Sequence, residues 1–314
     1  MNAIEPIAED CWFLTGPTAS GKSAIATVLA AKLDAEIVSL DSMALYRGMD
    51  IGTAKPTHSE REATPHHLID VIDPADEYSL AEYIAAAHRT VAEIRSRGKR
   101  PLFVGGTALY LKALLRGVSA GPPADWQLRT RLQEYGRDAG AEALHARLAR
   151  VDPLSARRLH PRDTRRVIRA LEVWESTGQS ITQMQQQFDR ARTADACHAF
   201  VLQWPREHLY ARIDKRVDAM FADGLVDEVR GLMQAARPLG RTASQAVGYR
   251  EVIDLLRGVR NLEETVALVK TRTRRFAKRQ LTWFRSLSEC REIAMTEPIR
   301  PDQITQRIIE ARSA

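Results

Sequence analysis

Eight residues, Gly16-Pro17-Thr18-Ala19-Ser20-Gly21-Lys22-Ser23, constrain this chain more than any other stretch. The apolar run Cys11-Trp12-Phe13-Leu14 precedes them, and Ile25, Val28, Leu29 and Leu33 follow at helical spacing. The context therefore reads strand, tight loop, helix, which makes G-x-x-x-x-G-K-[ST] a phosphate-binding P-loop. Its glycines let backbone N–H groups turn inward around a phosphate, and the helix N-terminus adds favourable potential. Lys22 supplies a point charge for terminal phosphate oxygens, and the Ser23 hydroxyl is placed to ligate magnesium. By motif alone the loop binds a nucleotide, ATP being the default. The plainer alternative is a glycine-rich turn with an ordinary surface lysine. Neither reading says whose phosphates are held, or which bond breaks.

The rest of the chain supplies a sheet for that loop. Residues 35–40 read as a second strand ending at Asp41-Ser42, and 67–72 as a short one. Residues 79–95 carry Leu80, Tyr83, Ile84, Ala87, Val91 and Ile94 on one helical face. Residues 100–104 form the next buried strand, followed by Gly105-Gly106-Thr107 and a helix over 109–115. Strands alternating with helices imply a parallel sheet covered on both faces. From Asp125 to Ala196 strands vanish and arginine and alanine dominate, whereas 198–204 read as a strand returning to the sheet. The expected fold is α/β: a P-loop parallel sheet core (1–125 and 198–314) with an all-helical insertion domain (126–197). After the last strand, 206–229 reads as one helix, and a long basic helix ends near Arg285.

Charge and cysteine usage narrow the class. Lysine and arginine number 46 against 40 acidic residues, giving a net charge of +6. The excess gathers in two places: Arg157, Arg158, Arg162, Arg165, Arg166 and Arg169, then Lys270 to Arg285, where Phe276, Trp283 and Phe284 interleave. Cations track phosphates and aromatic rings stack on unpaired bases, although arginines on a helix are more often a solvated face. Three distant cysteines imply no disulfide framework, and no Cys/His cluster has zinc spacing. With no signal-type apolar segment and no run long enough to span a bilayer, a cytoplasmic protein without membrane partners is expected.

Three candidates could carry chemistry beside the loop. The strand ending at Val104 runs into Gly105-Gly106-Thr107 without the carboxylate that NTP-hydrolysing relatives use to organise magnesium and water. That acid lies elsewhere, at Asp70 or Asp73, or the protein merely holds a diphosphate. Asp41, just past the second strand, faces the same rim as the loop and is the best general base; the plainer alternative is a turn or N-cap aspartate. Thr107 either orients a substrate or caps the following helix.

Taken together the motifs resemble the tRNA dimethylallyltransferases of bacterial type. The resemblance rests on the octapeptide, Asp41-Ser42, the run Tyr46-Arg47-Gly48-Met49-Asp50-Ile51-Gly52-Thr53-Ala54-Lys55-Pro56, Pro65-His66-His67-Leu68 and Val104-Gly105-Gly106-Thr107. It continues through Arg165-Arg166-Val167-Ile168-Arg169, Val247-Gly248-Tyr249-Arg250 and Lys278-Arg279-Gln280-Leu281-Thr282-Trp283-Phe284-Arg285. The family moves a dimethylallyl group from dimethylallyl diphosphate to the exocyclic amine of an adenosine beside the tRNA anticodon. The resemblance thus implies that Gly16 to Ser23 cradle a diphosphate leaving group with magnesium on Ser23, and that Arg212 or Arg216 clamps it. It implies Asp41 as the base and Thr107 as its support. It also implies tRNA contacts along Asp41, Ser42, Met43, Ala44, Thr107, Arg129, Arg165, Arg166, Val167, Ile168 and Arg169. Further contacts are implied at Gln245, Ala246, Val247, Gly248, Tyr249 and Arg250, and over Lys278, Arg279, Gln280, Leu281, Thr282, Trp283, Phe284 and Arg285.

The expected partners are dimethylallyl diphosphate and the tRNA anticodon stem-loop, gripped by a monomer. Ala44 departs from the polar residue usual in the family, and the C-terminal zinc finger of eukaryotic relatives is absent. The rivals are a P-loop kinase of small molecules, an enzyme prenylating free adenine nucleotides, and an RNA-binding module with a vestigial phosphate site.

Overall fold

A computed structural model describes residues 3–7, 10–119, 121–186, 193 and 197–313. The chain divides into two compact units, a larger one of 7–115 with 191–314 and a smaller one of 1–6 with 116–190. After β1 (Ala3–Ile4) of the smaller unit, the larger unit begins with β2 (Trp12–Thr15), the octapeptide and α1 (Lys22–Leu33). β3 (Ala35–Ser39), α2 (His58–Ala63), β4 (His66–His67), α3 (Leu80–Ser96), β5 (Arg100–Gly105) and α4 (Ala108–Arg116) follow. Every residue of β2 and β3 is buried, as a parallel strand covered on both faces requires. The strand expected over 67–72 stops at His67, because Leu68 and Asp70 both turn left-handed, with φ of 58°. Ile72 then makes only an isolated bridge to Tyr46.

The smaller unit pairs β1 with β6 (Val118–Ser119) in antiparallel fashion and continues as helices. These are α5 (Trp126–Asp138), α6 (Ala141–Val151), α7 (Pro153–Arg158), α8 (Thr164–Thr177) and α9 (Ile181–Met184). Leu128, Leu132, Leu144, Leu148, Val167, Ile168 and Leu171 form its core. Burial of each such side chain contributes about 1.5–3 kcal/mol. The helical stretch expected over 126–197 thus belongs to a unit that starts at 116 and contains a two-residue ribbon with the N-terminal strand. Its last part, 187–192 and 194–196, lies outside the described residues.

Returning to the larger unit, β7 (His198–Gln203) enters the sheet, and α10 (Arg206–Ala222) and α11 (Leu225–Met233) follow. The single helix expected over 206–229 is broken here, since Gly224 adopts φ 101°. α12 (Arg241–Ser244), α13 (Tyr249–Leu256) and α14 (Leu262–Arg285) precede two elements that the sequence reading did not anticipate, β8 (Cys290–Ala294) and α15 (Pro301–Ser313). The sheet runs β4-β3-β5-β2-β7-β8, with every pairing parallel. Trp12, Leu14, Ile25, Leu29, Leu102, Phe200 and Leu202 fill its core, and parallel order brings the ends of β2, β3 and β5 to one rim.

Candidate active site

At that rim the octapeptide closes on itself through Lys22. Its Nζ donates to the carbonyls of Gly16 (3.0 Å) and Pro17 (2.8 Å) and reaches Ser20 Oγ at 3.5 Å. Burial, reinforced by the nearby Arg216 guanidinium, pulls its pKa down to about 7, with Asp41 opposing. The loop's left-handed turn includes Ala19 (φ 63°), an uncommon conformation for a residue with a Cβ. The structure holds it there from outside: Arg212 Nε donates to Ala19 O (2.9 Å), and Trp204 Nε1 donates to Ser20 O (3.0 Å). The Arg212 guanidinium lies 4.8 Å over the Trp204 ring and pairs with Glu297 at 2.7 Å.

Arg216 sits one turn further along α10 and is circumstanced differently. Its Nε is buried with no hydrogen-bond partner. Burial lowers its pKa, and the Asp41 carboxylate is the opposing influence. Lys22 and Arg216 therefore both lie in the field of Asp41. Of the two arginines the sequence could not separate, Arg212 braces the loop and Arg216 leaves its Nε donor unused.

Asp41 and Thr107 stand on neighbouring strand ends. Asp41 Oδ1 accepts from Met43 N at 2.8 Å, which fixes its turn, as the alternative reading expected. Thr107 Oγ1 accepts from Ser42 N (3.0 Å), and its own N–H donates to Leu40 O (3.1 Å), so Thr107 clasps the loop that carries Asp41. Between them Gly105 makes a close approach: a Cβ there would fall 2.1 Å from Leu40 O. The two alternative acids are committed elsewhere. Asp70 binds Lys55 (2.5 Å) and Arg61 (2.7 Å), while Asp73 accepts from Ala75 N (2.9 Å) and faces Arg237 at 3.7 Å.

The run Tyr46 to Pro56 is pinned by two charges, the buried Lys55 and the half-buried Glu228, the second of which the sequence reading missed. Lys55 Nζ donates to Tyr46 O, Asp50 and Asp70. Glu228, from α11, accepts from the amides of Asp50 (2.9 Å), Ile51 (2.6 Å) and Gly52 (3.3 Å) and from Tyr249 Oη (2.6 Å). Tyr249 and Ala246 are consequently buried, whereas Gln245 and Arg250 line a cavity of about 580 Å³ with Met233, Leu239 and Arg257. Ala44 is likewise buried.

Helix α14 divides its residues by face. Arg275, Lys278, Arg279, Thr282 and Arg285 are exposed and Phe276 is 37% exposed, while Leu281 and Trp283 are half-buried. Phe284 and Gln280 are buried, so neither is a surface contact. Gln280 instead joins the octapeptide: its Oε1 accepts from Thr18 N (2.9 Å) and its Nε2 donates to Gly106 O (2.8 Å).

The arginines of the smaller unit are less available than the sequence implies. Arg129 binds Glu172 through two bonds of 2.8 and 2.9 Å, and Arg169 binds the same carboxylate at 2.5 Å and Pro122 O at 2.9 Å. Val167 and Ile168 are core residues, not contacts. Arg165 and Arg166 stay exposed, Arg166 3.4 Å from Asp163.

Among the described residues no group of three His, Cys, Asp or Glu could hold a metal ion, and Ser23, at the start of α1, is exposed. No described helix is long and apolar enough to cross a membrane.

The IPP transferase family model matches residues 44–287. A tRNA dimethylallyltransferase of Rhodopirellula baltica is 49% identical over 309 residues, 96% of this chain and 92% of its own length. Among solved structures, the full-length tRNA isopentenylpyrophosphate transferase of Bacillus halodurans is 38% identical with a TM-score of 0.70, covering 97% of this chain and 96% of its own. A eukaryotic dimethylallyltransferase acting on tRNA gives a TM-score of 0.75 at 27% identity, covering 96% of this chain and 78% of its own. With a matched span that contains Thr107, Arg216 and Gln280, and a relative 49% identical over 96% of the chain, the chain belongs to the IPP transferase family.

Proposed function

We propose that this protein transfers a dimethylallyl group from dimethylallyl diphosphate to the N6 amine of the adenosine beside the anticodon, in tRNAs reading codons that begin with U. The observation that carries the reading is the Arg216 Nε, buried and unpartnered, in the same electrostatic neighbourhood as Lys22 and Asp41. Buried charges are normally paired, so a cationic pair at a phosphate loop with a carboxylate across from it fits an anionic leaving group facing a base.

The chain's groups divide the work. Lys22 exchanges the carbonyls of Gly16 and Pro17 for terminal phosphate oxygens, and Arg216 and the loop amides take the charge that builds on the bridging oxygen. Ser23 would hold a magnesium ion with the diphosphate oxygens, and that ion would supply further neutralisation of the leaving group. The amine nitrogen forms its bond to the allylic carbon as the carbon–oxygen bond breaks and the electron pair leaves on diphosphate. Asp41 accepts the amine proton, a contribution of about 100- to 10,000-fold. Thr107 keeps Asp41 in register through Ser42. The target base leaves its stack at a cost of a few kcal/mol, and the exposed cations of α14 and the Arg165–Arg166 pair hold the RNA. A cytoplasmic monomer suffices for this chemistry.

Incubation with unmodified tRNA, dimethylallyl diphosphate and magnesium, followed by nucleoside mass spectrometry, tests the proposal. A prenylated adenosine is expected. Its absence, with phosphate transfer from ATP to a small molecule instead, would establish a kinase and remove this reading.

A further inference from the structure

Gln280 sits on the inner face of α14, where a buried polar side chain has to be explained by its partners. Those partners are the two loops that carry the chemistry. Thr18 N belongs to the octapeptide, and Gly106 O belongs to the loop whose Thr107 clasps the Asp41 turn. An amide presents a donor and an acceptor at one fixed separation, which a carboxylate or a hydrocarbon does not. The fit is tight on the far side too: a Cβ at Gly106 would come within 2.4 Å of Gln280 Nε2. On the outer face of the same helix, Lys278 and Arg279 immediately precede Gln280, and both are exposed.

We propose that Gln280 is a positioning residue that couples RNA docking on the outer face of α14 to the seating of diphosphate in the octapeptide. This rests on the prenyl-transfer reading above. RNA held by Lys278, Arg279 and Arg285 fixes the helix, and the helix, through one amide, fixes Thr18 and Gly106 together. Because that amide ties the phosphate loop to the loop behind Asp41, whichever substrate seats first steadies both loops for the other. Coupling of this kind is reciprocal, so each substrate tightens the other by the same factor.

The test uses the full chain, an unmodified tRNA anticodon stem-loop and a thio analogue of dimethylallyl diphosphate that binds without turnover. Titration calorimetry gives the analogue's Kd with and without the stem-loop. In the wild type the stem-loop should tighten the analogue by about tenfold. Gln280→Ala should abolish that factor, and so should Gln280→Glu, which keeps the shape but sets an acceptor against Gly106 O. Gly106→Ala, which displaces the amide from the opposite side, should reproduce the effect without altering Gln280. Melting temperatures are recorded for each variant. A wild type without coupling overturns the proposal. So does a Gln280→Ala or Gln280→Glu protein that melts lower yet keeps the wild-type factor, since its amide would then serve stability alone. Failure of the wild type to transfer the prenyl group in a parallel assay removes the functional reading instead, and is seen separately.

Discussion

Arg129 and Arg169 of the smaller unit and Arg216 of the larger one are used in opposite ways. In the smaller unit, Glu172 is wholly buried and binds Arg129 and Arg169 at once, and Asp125 N donates to it as well. In the larger unit, Arg216 Nε is buried with no acceptor, and Lys22 finds only loop carbonyls and the more distant Ser20 hydroxyl. A cation that the chain neutralises itself is architecture. One with a donor that the chain buries and leaves without an acceptor carries a cost that an arriving anion can recover. The distinction sorts the basic residues better than their density along the sequence does.

The largest effect expected from this contrast is at Glu172. Replacing it by alanine leaves two guanidiniums facing each other and should lower stability by about 3–5 kcal/mol, read by chemical denaturation. Burial tends to raise the pKa of Glu172, but hydrogen bonds from Arg129, Arg169 and Asp125 prevail and hold it below its ordinary 4.5. Its contribution is therefore complete above that value and is lost as pH falls through the lower folded-state value, a loss the variant should lack. Arg216→Met should behave in the reverse manner. Transfer (kcat/KM) should drop about 100- to 1000-fold while the ligand-free protein is no less stable. A destabilised Arg216→Met protein would erase the comparison.

Lys22 gives a smaller, pH-dependent effect. Its pKa is about 7 in the empty loop against an ordinary 10.5, so between those values the folded chain binds fewer protons than the unfolded one. Stability of the ligand-free protein should consequently rise with pH across that window, and Lys22→Met should flatten the rise in a melting series. Diphosphate restores the charge, so affinity should weaken above pH 7, by at most about tenfold per unit, with proton uptake visible by calorimetry in two buffers. The smallest effect belongs to exposed Arg165. Arg165→Ala should weaken tRNA binding modestly and reduce the slope of log affinity against log salt by about 1, without touching stability.

The strands nearest the phosphate loop were legible because each is a continuous apolar run: Trp12 to Leu14, Ile37 and Val38, Leu102 and Phe103. β8 was not, since Cys290–Ala294 lies at the sheet edge and buries only Ile293. The octapeptide, Asp41 and Thr107 could be singled out from local pattern, because strand ends and helix starts are local features. Glu228 and Gln280 could not. Gln280 bonds to residues 262 and 174 positions away, and no spacing rule reaches that far. In the sequence it stood within a basic run and was grouped with it, although the helix turns it to the other side. The choice between Arg212 and Arg216 was likewise a question of partners, and only folding supplies Glu297 and Trp204 to the first of them.

Gly105 bears on how far this protein can be altered. Its bare Cα lies against the Leu40 carbonyl, next to the turn of Asp41. The spacing between the Asp41 turn and the end of β5 is thus defined by an atom that is missing, and no larger residue can be traded in by trimming a neighbour, because the obstacle is backbone. Laboratory evolution could broaden the accepted allylic chain through side chains around the rim, but the approach of the Asp41 turn to β5 would stay out of its reach.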